Sequence, residues 1–368
     1  MSYSRKLKIA QVAPFEERVP PEKYGGTELV INNLTEELVA RGHHVTLLAS
    51  GNSVTKAKLV PIFKTAIRQQ AQIGDNLQNR EAAKFIGIAK VVDYLRKNNF
   101  DVIHNHIGWR LLPFSSFLKP PLITTLHGPL DIAYQQFVYG KFLKANYISI
   151  SNNQRRPMSQ LNFIATVYNG IDINKFTFNS KPKGYLAFLG RMSPEKGPLQ
   201  AIQAAKRSKT PLIMAAKVDL VDRAYFIKKI KPLIDGRLIR FIGEVDHQAK
   251  VRLLKNAIAL LALIQWEEPF GLFITESLAC GTPVIANKRG SVPELIKQGK
   301  TGYIVNNVND AAAAVKKIDK INRYNCRQDA EERFSTQQMT NGYEQAYYRL
   351  LGTGAWANDR WKSSQRPC

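Results

Sequence analysis

Short apolar runs alternate with segments of helical period along both halves of the chain, the pattern of parallel sheets covered on both faces. In the first half the runs at 7–12, 44–49, 101–106, 122–126, 147–150 and 164–167 predict strands. Between the first two, residues 27–40 carry Val30, Leu34 and Leu38 at helical spacing, and Gly42 follows as a stop. The second half repeats the pattern, with strand-like runs at 185–189, 211–214, 239–242, 257–264 and 283–286 and a helical segment between each pair. The stretch Asn179-Ser180-Lys181-Pro182-Lys183-Gly184 is polar and holds Pro and Gly, which makes it the expected linker. Three regions follow: 1–180, 181–351 and a polar tail at 352–368.

Length agrees with this division, because 368 residues exceed the size at which one core keeps growing. Cys280, Cys326 and Cys368 lie far apart without CxxC spacing, so no zinc site or disulfide framework is indicated and a reducing cytoplasm is expected. The chain runs from Met1-Ser2-Tyr3-Ser4-Arg5-Lys6 into its first strand without the apolar core of a signal peptide, and no stretch is long enough to span a bilayer.

In open parallel sheets ligands bind outside the carboxyl ends of the strands, and that rule sorts the polar motifs. After the run 257–264 comes Glu267-Glu268-Pro269-Phe270-Gly271-Leu272-Phe273-Ile274-Thr275-Glu276. Its glycine turn opens a helix, and the amides of Gly271, Leu272 and Phe273 lack intrahelical partners and favour an anion. Carboxylates stand on either side, Glu268 before the turn and Glu276 about one helical turn beyond it. A phosphate cradle between two acids suits a sugar nucleotide, with one acid on a hexose and the other on a ribose. The strand at 185–189 ends in Gly190-Arg191-Met192-Ser193-Pro194-Glu195-Lys196-Gly197, so Arg191 and Lys196 are positioned to converge on one anion, a planar fork beside a compact charge. The first strand leads to Tyr24-Gly25-Gly26-Thr27-Glu28 at the mouth of the first helix, where Gly25 and Gly26 allow close backbone approach to a ligand. His127 follows a strand at the same end. His104 and His106 alternate along another strand, so one of them is expected to face the cleft, and Arg155-Arg156 falls beside it.

The spacing of Glu268 and Glu276, with Pro269-Phe270-Gly271 and Ala279-Cys280-Gly281-Thr282-Pro283, resembles the E-x7-E signature of retaining glycosyltransferases of family 4. Arg191-x4-Lys196-Gly197, the Gly25-Gly26 loop, His127 and the turn Asn169-Gly170-Ile171-Asp172 are similar to that family in order and place. The resemblance runs from Ile9 to about Leu351. It implies a GT-B fold, an α/β architecture of two Rossmann-like doubly wound parallel-sheet domains facing across a cleft. The first would hold the acceptor and the second the nucleotide sugar. It implies Glu276 on the ribose, Arg191 and Lys196 on the diphosphate, Glu268 on the hexose hydroxyls and His127 at the sugar or reacting centre. Glu268, Arg191, Lys196 and His127 are thus the expected catalytic set, and Gly25, Gly26, Phe270, Gly271, Leu272, Phe273 and Glu276 complete the expected donor site. Donors are ranked by family frequency alone, UDP-glucose ahead of GDP-mannose. No cofactor and no metal are expected, in keeping with the metal-independent habit of GT-B enzymes and with the absence of an Asp-x-Asp. Retention by front-face displacement, the leaving phosphate taking the acceptor proton, is preferred over a covalent route.

Charge changes the list of partners rather than the fold. The formal net charge is +24 and the isoelectric point near 9.9. The excess is diffuse: 22 of 53 Lys and Arg and 12 of 29 Asp and Glu fall in the first 180 residues. Such a field concentrates anions without choosing among nucleotide sugars, acidic membrane surfaces and nucleic acid. Lys228-Lys229-Ile230-Lys231 reads as a solvated helix face. No aromatic-rich basic stripe accompanies the charge, so a nucleic-acid protein and a catalytically silent sugar-nucleotide binder stand as alternatives behind a transferase. The acceptor, whether sugar, lipid or small molecule, is not encoded in any motif, and peripheral contact with an anionic inner membrane face is the expected site of a lipid acceptor. Two decoys fail: Gly299-Lys300-Thr301 lacks the first glycine of a P-loop, and Gly352-Thr353-Gly354 follows no strand.

Overall fold

A computed structural model describes residues 5–22, 25–74 and 76–352. Tyr24, and the tail from Thr353 onward, lie outside the described residues. The first half forms a seven-stranded parallel sheet in the order β3-β2-β1-β4-β5-β6-β7. Its strands are β1 (Lys8–Val12), β2 (His44–Ser50), β3 (Lys58–Phe63), β4 (Val102–Asn105), β5 (Leu122–Thr125), β6 (Asn146–Ser149) and β7 (Phe163–Thr166). The second half forms a six-stranded parallel sheet in the order β10-β9-β8-β11-β12-β13. These are β8 (Tyr185–Arg191), β9 (Leu212–Lys217), β10 (Ile239–Phe241), β11 (Ala257–Ala262), β12 (Val284–Asn287) and β13 (Gly302–Val305). The expected two Rossmann-like sheets are present, and in each the order of successive strands reverses at the centre, between β1 and β4 and between β8 and β11.

Two edge strands differ from the expectation. β3 carries Pro61, and a proline removes a ladder donor, which an edge tolerates. β13 is the four-residue Gly302-Tyr303-Ile304-Val305 and offers too short a pattern to read.

The halves do not meet where the linker was expected. Ile171, Ile173 and Phe176 belong to the second core, so the chain crosses at Asn169-Gly170, ahead of 179–184. It crosses back near Ser335, which bridges Ile171. The helix Thr336–Leu350, assigned by sequence to the second region, packs on the first sheet through Met339, Tyr343, Tyr347 and Tyr348 against Leu7, Ile9 and Leu34. Glu344 anchors it there, taking Arg41 at 2.5 Å and His43 at 2.7 Å. Sequence period shows that a helix is amphipathic, not which sheet its apolar face will cover. Across the junction Ser151 donates to the Pro269 carbonyl at 2.7 Å, and Glu294 accepts from the amides of Asn152 and Asn153 at 2.8 and 2.7 Å.

Candidate active site

Both central crevices open onto one cleft of about 1060 Å³. Every residue of the expected catalytic and donor sets lines it: Gly25, Gly26 and His127 from the first half, and Arg191, Lys196, Glu268, Phe270, Gly271, Leu272, Phe273 and Glu276 from the second. The reason is topological. β1 and β4 deliver the Gly25 loop and His106, β8 and β11 deliver Arg191 and Glu268, and these are the strands at which the two sheets reverse.

Gly271 caps the helix Leu272–Ala279 with φ 86°, a left-handed conformation that glycine adopts without steric cost. The first-turn amides therefore point out of the turn between Glu268 and Glu276, which are 7% and 4% exposed. The turn is braced from behind. Ser291 N donates to the Glu268 carbonyl at 3.0 Å and Ser291 Oγ to that of Phe270 at 2.6 Å. Gly26 reaches this helix from the other side, since a methyl group there would lie 3.3 Å from Leu272 Cδ1.

Each cation has a carboxylate partner. Lys196 donates to Glu268, whose Oε2 also accepts from Trp266 Nε1 at 3.1 Å, and its ammonium sits 5.0 Å from the Trp266 ring and 5.4 Å from that of Phe273. Arg191 pairs with Glu195 and, at 3.3 Å, with Asp222. Arg191 and Lys196 thus both line the cleft, each beside a carboxylate. Lys250, from the helix His247–Asn256, pairs with Glu276. Nothing in the sequence announced Lys250, because it stands 26 residues before Glu276 on a separate helix.

On the facing wall His127 Nε2 lies 2.9 Å from His106 Nδ1. Burial pushes His127 down to about 4 and holds His104 and His106 well below the usual imidazole range, with His104 and His127 adding to the shift of His106, so all three are neutral near pH 7. The expectation for the pair His104 and His106 needs correcting in its reason. Residues two apart share a face of a strand, and their rings are 3.9 Å apart. His106 alone of the two lines the cleft because it lies beyond the carboxyl end of β4, whereas His104 is enclosed. Glu28, 7% exposed at the start of its helix, is raised by burial to about 7. Arg155 is turned away from the cleft, over the Phe163 ring at 4.8 Å and toward Thr166, and Arg156 lines a separate cavity of about 220 Å³. Lys228 and Lys229 are exposed, as expected.

Two Rossmann-type sheets with a cleft between their switch points define the GT-B class of transferases. Known proteins agree half by half. Residues 24–175 match the model described as Glycosyltransferase Family 4, and residues 171–337 match that of Glycosyl transferases group 1. The N-acetyl-alpha-D-glucosaminyl L-malate synthase of Bacillus anthracis is 24% identical over 89% of this chain and 94% of its own length. The phosphatidyl-myo-inositol mannosyltransferase of Mycobacterium tuberculosis is 25% identical over 81% of this chain and 82% of its own. Among solved structures, sucrose-phosphate synthase of Thermosynechococcus elongatus covers 95% of this chain and 100% of its own at a TM-score of 0.79 and 18% identity. Anabaena HepE in complex with UDP-glucose covers 94% and 100% at 0.69 and 18%. The chain is a GT-B glycosyltransferase of the group 1 and family 4 kind, an enzyme of the hexosyltransferase type.

Proposed function

We propose that the chain transfers a hexose from a nucleotide sugar to an acceptor with retention of anomeric configuration, using Glu268 and Glu276 as its E-x7-E pair. The observation that carries the reading is the glycine-capped helix start with a buried carboxylate on either side and three cations, Arg191, Lys196 and Lys250, lining the same cleft. In it the diphosphate lies on the amides of Gly271, Leu272 and Phe273, Glu276 holds the ribose and Glu268 the hexose. Lys196 and Arg191 turn from their carboxylates toward the phosphates as charge builds on the leaving group, so they stabilise the transition state more than the bound donor. These cations take the role a metal would have, and transfer is expected to persist in chelator. The leaving phosphate accepts the acceptor's proton on the front face. His127 contacts the sugar. UDP-glucose comes first and GDP-mannose second; HepE was solved with UDP-glucose, which supports that order.

A thermal-shift panel of nucleotide sugars tests this, because a ligand that binds only the folded chain raises its unfolding temperature. A rise with UDP- or GDP-hexoses, lost in Glu276→Ala, is expected. No response to any nucleotide sugar refutes the donor site.

The acceptor side is read as meeting an anionic membrane. The helix Leu77–Lys97 buries Ala83, Ile88 and Val91 but also exposes Ala82, Phe85, Ile86 and Ala89, a second apolar stripe at i, i+3, i+4 and i+7. Phe85 is 67% exposed and Phe137, on the helix Ala133–Tyr139, 68%, with Lys141 beside it. Between residues 77 and 144 nine Lys and Arg face four Asp and Glu. No helix among the described residues is long and apolar enough to cross a membrane. Sedimentation with phosphatidylglycerol vesicles but not phosphatidylcholine vesicles, reduced by Phe85→Ser with Ile86→Ser, is the expected result. Equal recovery in the supernatant with both removes this part of the reading.

A further inference from the structure

Behind His127 the first half encloses a line of polar side chains. Gln11, His104, Thr125, Tyr343 and Tyr347 are fully buried and His106 nearly so. Such groups are costly to bury unless each finds a partner, and each does. His127 Nε2 meets His106 Nδ1 at 2.9 Å, and His106 Nε2 meets Gln11 Oε1 at 2.6 Å. On the far side Gln11 Nε2 donates to Tyr347 Oη at 3.4 Å. Tyr347 Oη lies 2.7 Å from His104 Nδ1, His104 Nε2 lies 2.7 Å from Thr125 Oγ1, and Thr125 Oγ1 donates to Tyr343 Oη at 3.2 Å.

The direction of the bonds between Gln11 and His127 follows from one amide. A neutral imidazole has one N–H and one bare nitrogen, and an amide oxygen only accepts. The contact with Gln11 Oε1 therefore needs the proton of His106 on Nε2. His106 Nδ1 is then bare, and its contact with His127 needs the His127 proton on Nε2. That leaves His127 Nδ1 bare, and among the described residues no hydrogen bond engages it. The other arm runs consistently outward: the Gln11 amide donates to Tyr347, Tyr347 to His104 Nδ1, His104 Nε2–H to Thr125, and Thr125 to Tyr343. Reversing the Gln11 amide would invert the nearer arm and turn His127 into a donor.

We infer that Gln11 and His106 are positioning residues that lock His127 as a hydrogen-bond acceptor toward the cleft, so that the site selects a sugar hydroxyl there over a group that cannot donate. The selectivity rests on the nucleotide-sugar reading; the tautomer does not. A site built for a donated hydrogen bond rejects an analogue lacking it more strongly than an apolar wall rejects a change of size.

The test begins with the unmodified full chain labelled with 15N at histidine. Long-range 1H–15N spectra report which ring nitrogen of His127 and of His106 holds the proton, and Nε2–H is expected for both. A His127 proton on Nδ1 overturns the inference without any variant having to fold. Transfer is then measured with donors in which each sugar hydroxyl is replaced in turn by fluorine. One position should lose roughly 5- to 100-fold in kcat/KM, the range for an unmet buried acceptor. Gln11→Met, which frees the His106 tautomer, should shrink that ratio at that position alone. A uniform loss for all donors in Gln11→Met, or an unchanged ratio, overturns the inference. If no nucleotide sugar binds, the functional reading fails while the spectrum still decides the tautomer.

Discussion

Glu268 and Glu276 differ in what surrounds them, and the difference separates their expected effects. Glu268 takes both Lys196 and the Trp266 indole, beside the place where bond breaking is proposed. Glu268→Gln keeps the shape and removes the charge, and should lower kcat about 100-fold, near the value of one preorganised transition-state contact. Glu276 is paired with Lys250, away from that centre. Glu276→Ala should raise the donor KM by roughly 10- to 100-fold while leaving kcat within a few-fold, as loss of a charged hydrogen bond made equally in ground and transition states would do. Steady-state kinetics with a single donor distinguish the two. A second residue-scale prediction concerns pH. Burial raises the Glu28 carboxyl to about 7 from an ordinary 4.5. The folded chain then holds a proton that the unfolded chain has lost, so this residue's contribution to stability is complete below pH 4.5, falls as pH rises and is gone above 7. Glu28→Gln should therefore gain in melting temperature relative to the parent at pH 8 but not at pH 4. His127 acts in the opposite sense: with its folded value near 4, stability falls as pH drops from about 6.5 toward 4.

Elements carry the site through close approaches that side-chain patterns do not display. Lys196 stands opposite Glu268 because Gly197, at φ 72°, lets the β8 loop lie against the end of β11; an added Cβ would fall 1.9 Å from the Leu263 carbonyl oxygen. Gly197→Ala should cost about 2 kcal/mol or more and lower the melting temperature by several degrees, in line with backbone substitutions at strained positions. A scanning calorimetry trace unchanged from the parent would show that the loop relaxes freely. At this scale much was legible: both sheets, the first helix and the glycine start at Gly271 follow from apolar runs and turn residues. The edge strands β3 and β13 were not, because Pro61 and a four-residue run carry no alternation. Gln11 was a missed signal in plain view, a polar residue in the middle of an apolar strand.

At the scale of the molecule, the helix Thr336–Leu350 returns to the first sheet and supplies Tyr343 and Tyr347 to the buried line behind His127. In its attachment through Glu344 to Arg41 and His43, loss of Glu344 leaves the buried His43 Nε2 without its partner, while Arg41 keeps Glu37 at 2.9 Å. Glu344→Ala should destabilise the chain by about 2 kcal/mol, and urea titration followed by circular dichroism would register it as a lower midpoint at unchanged slope. By itself the sequence determined the two α/β sheets and the residue types at their strand ends, because apolar period and turn chemistry are local and the strand-end rule then places the ligand. Tertiary structure alone decided which carboxylate neutralises which cation, which sheet the last helix covers and which nitrogen of His127 carries the proton. Those depend on contacts between residues tens to hundreds of positions apart, and no spacing along a chain encodes a distance across a fold.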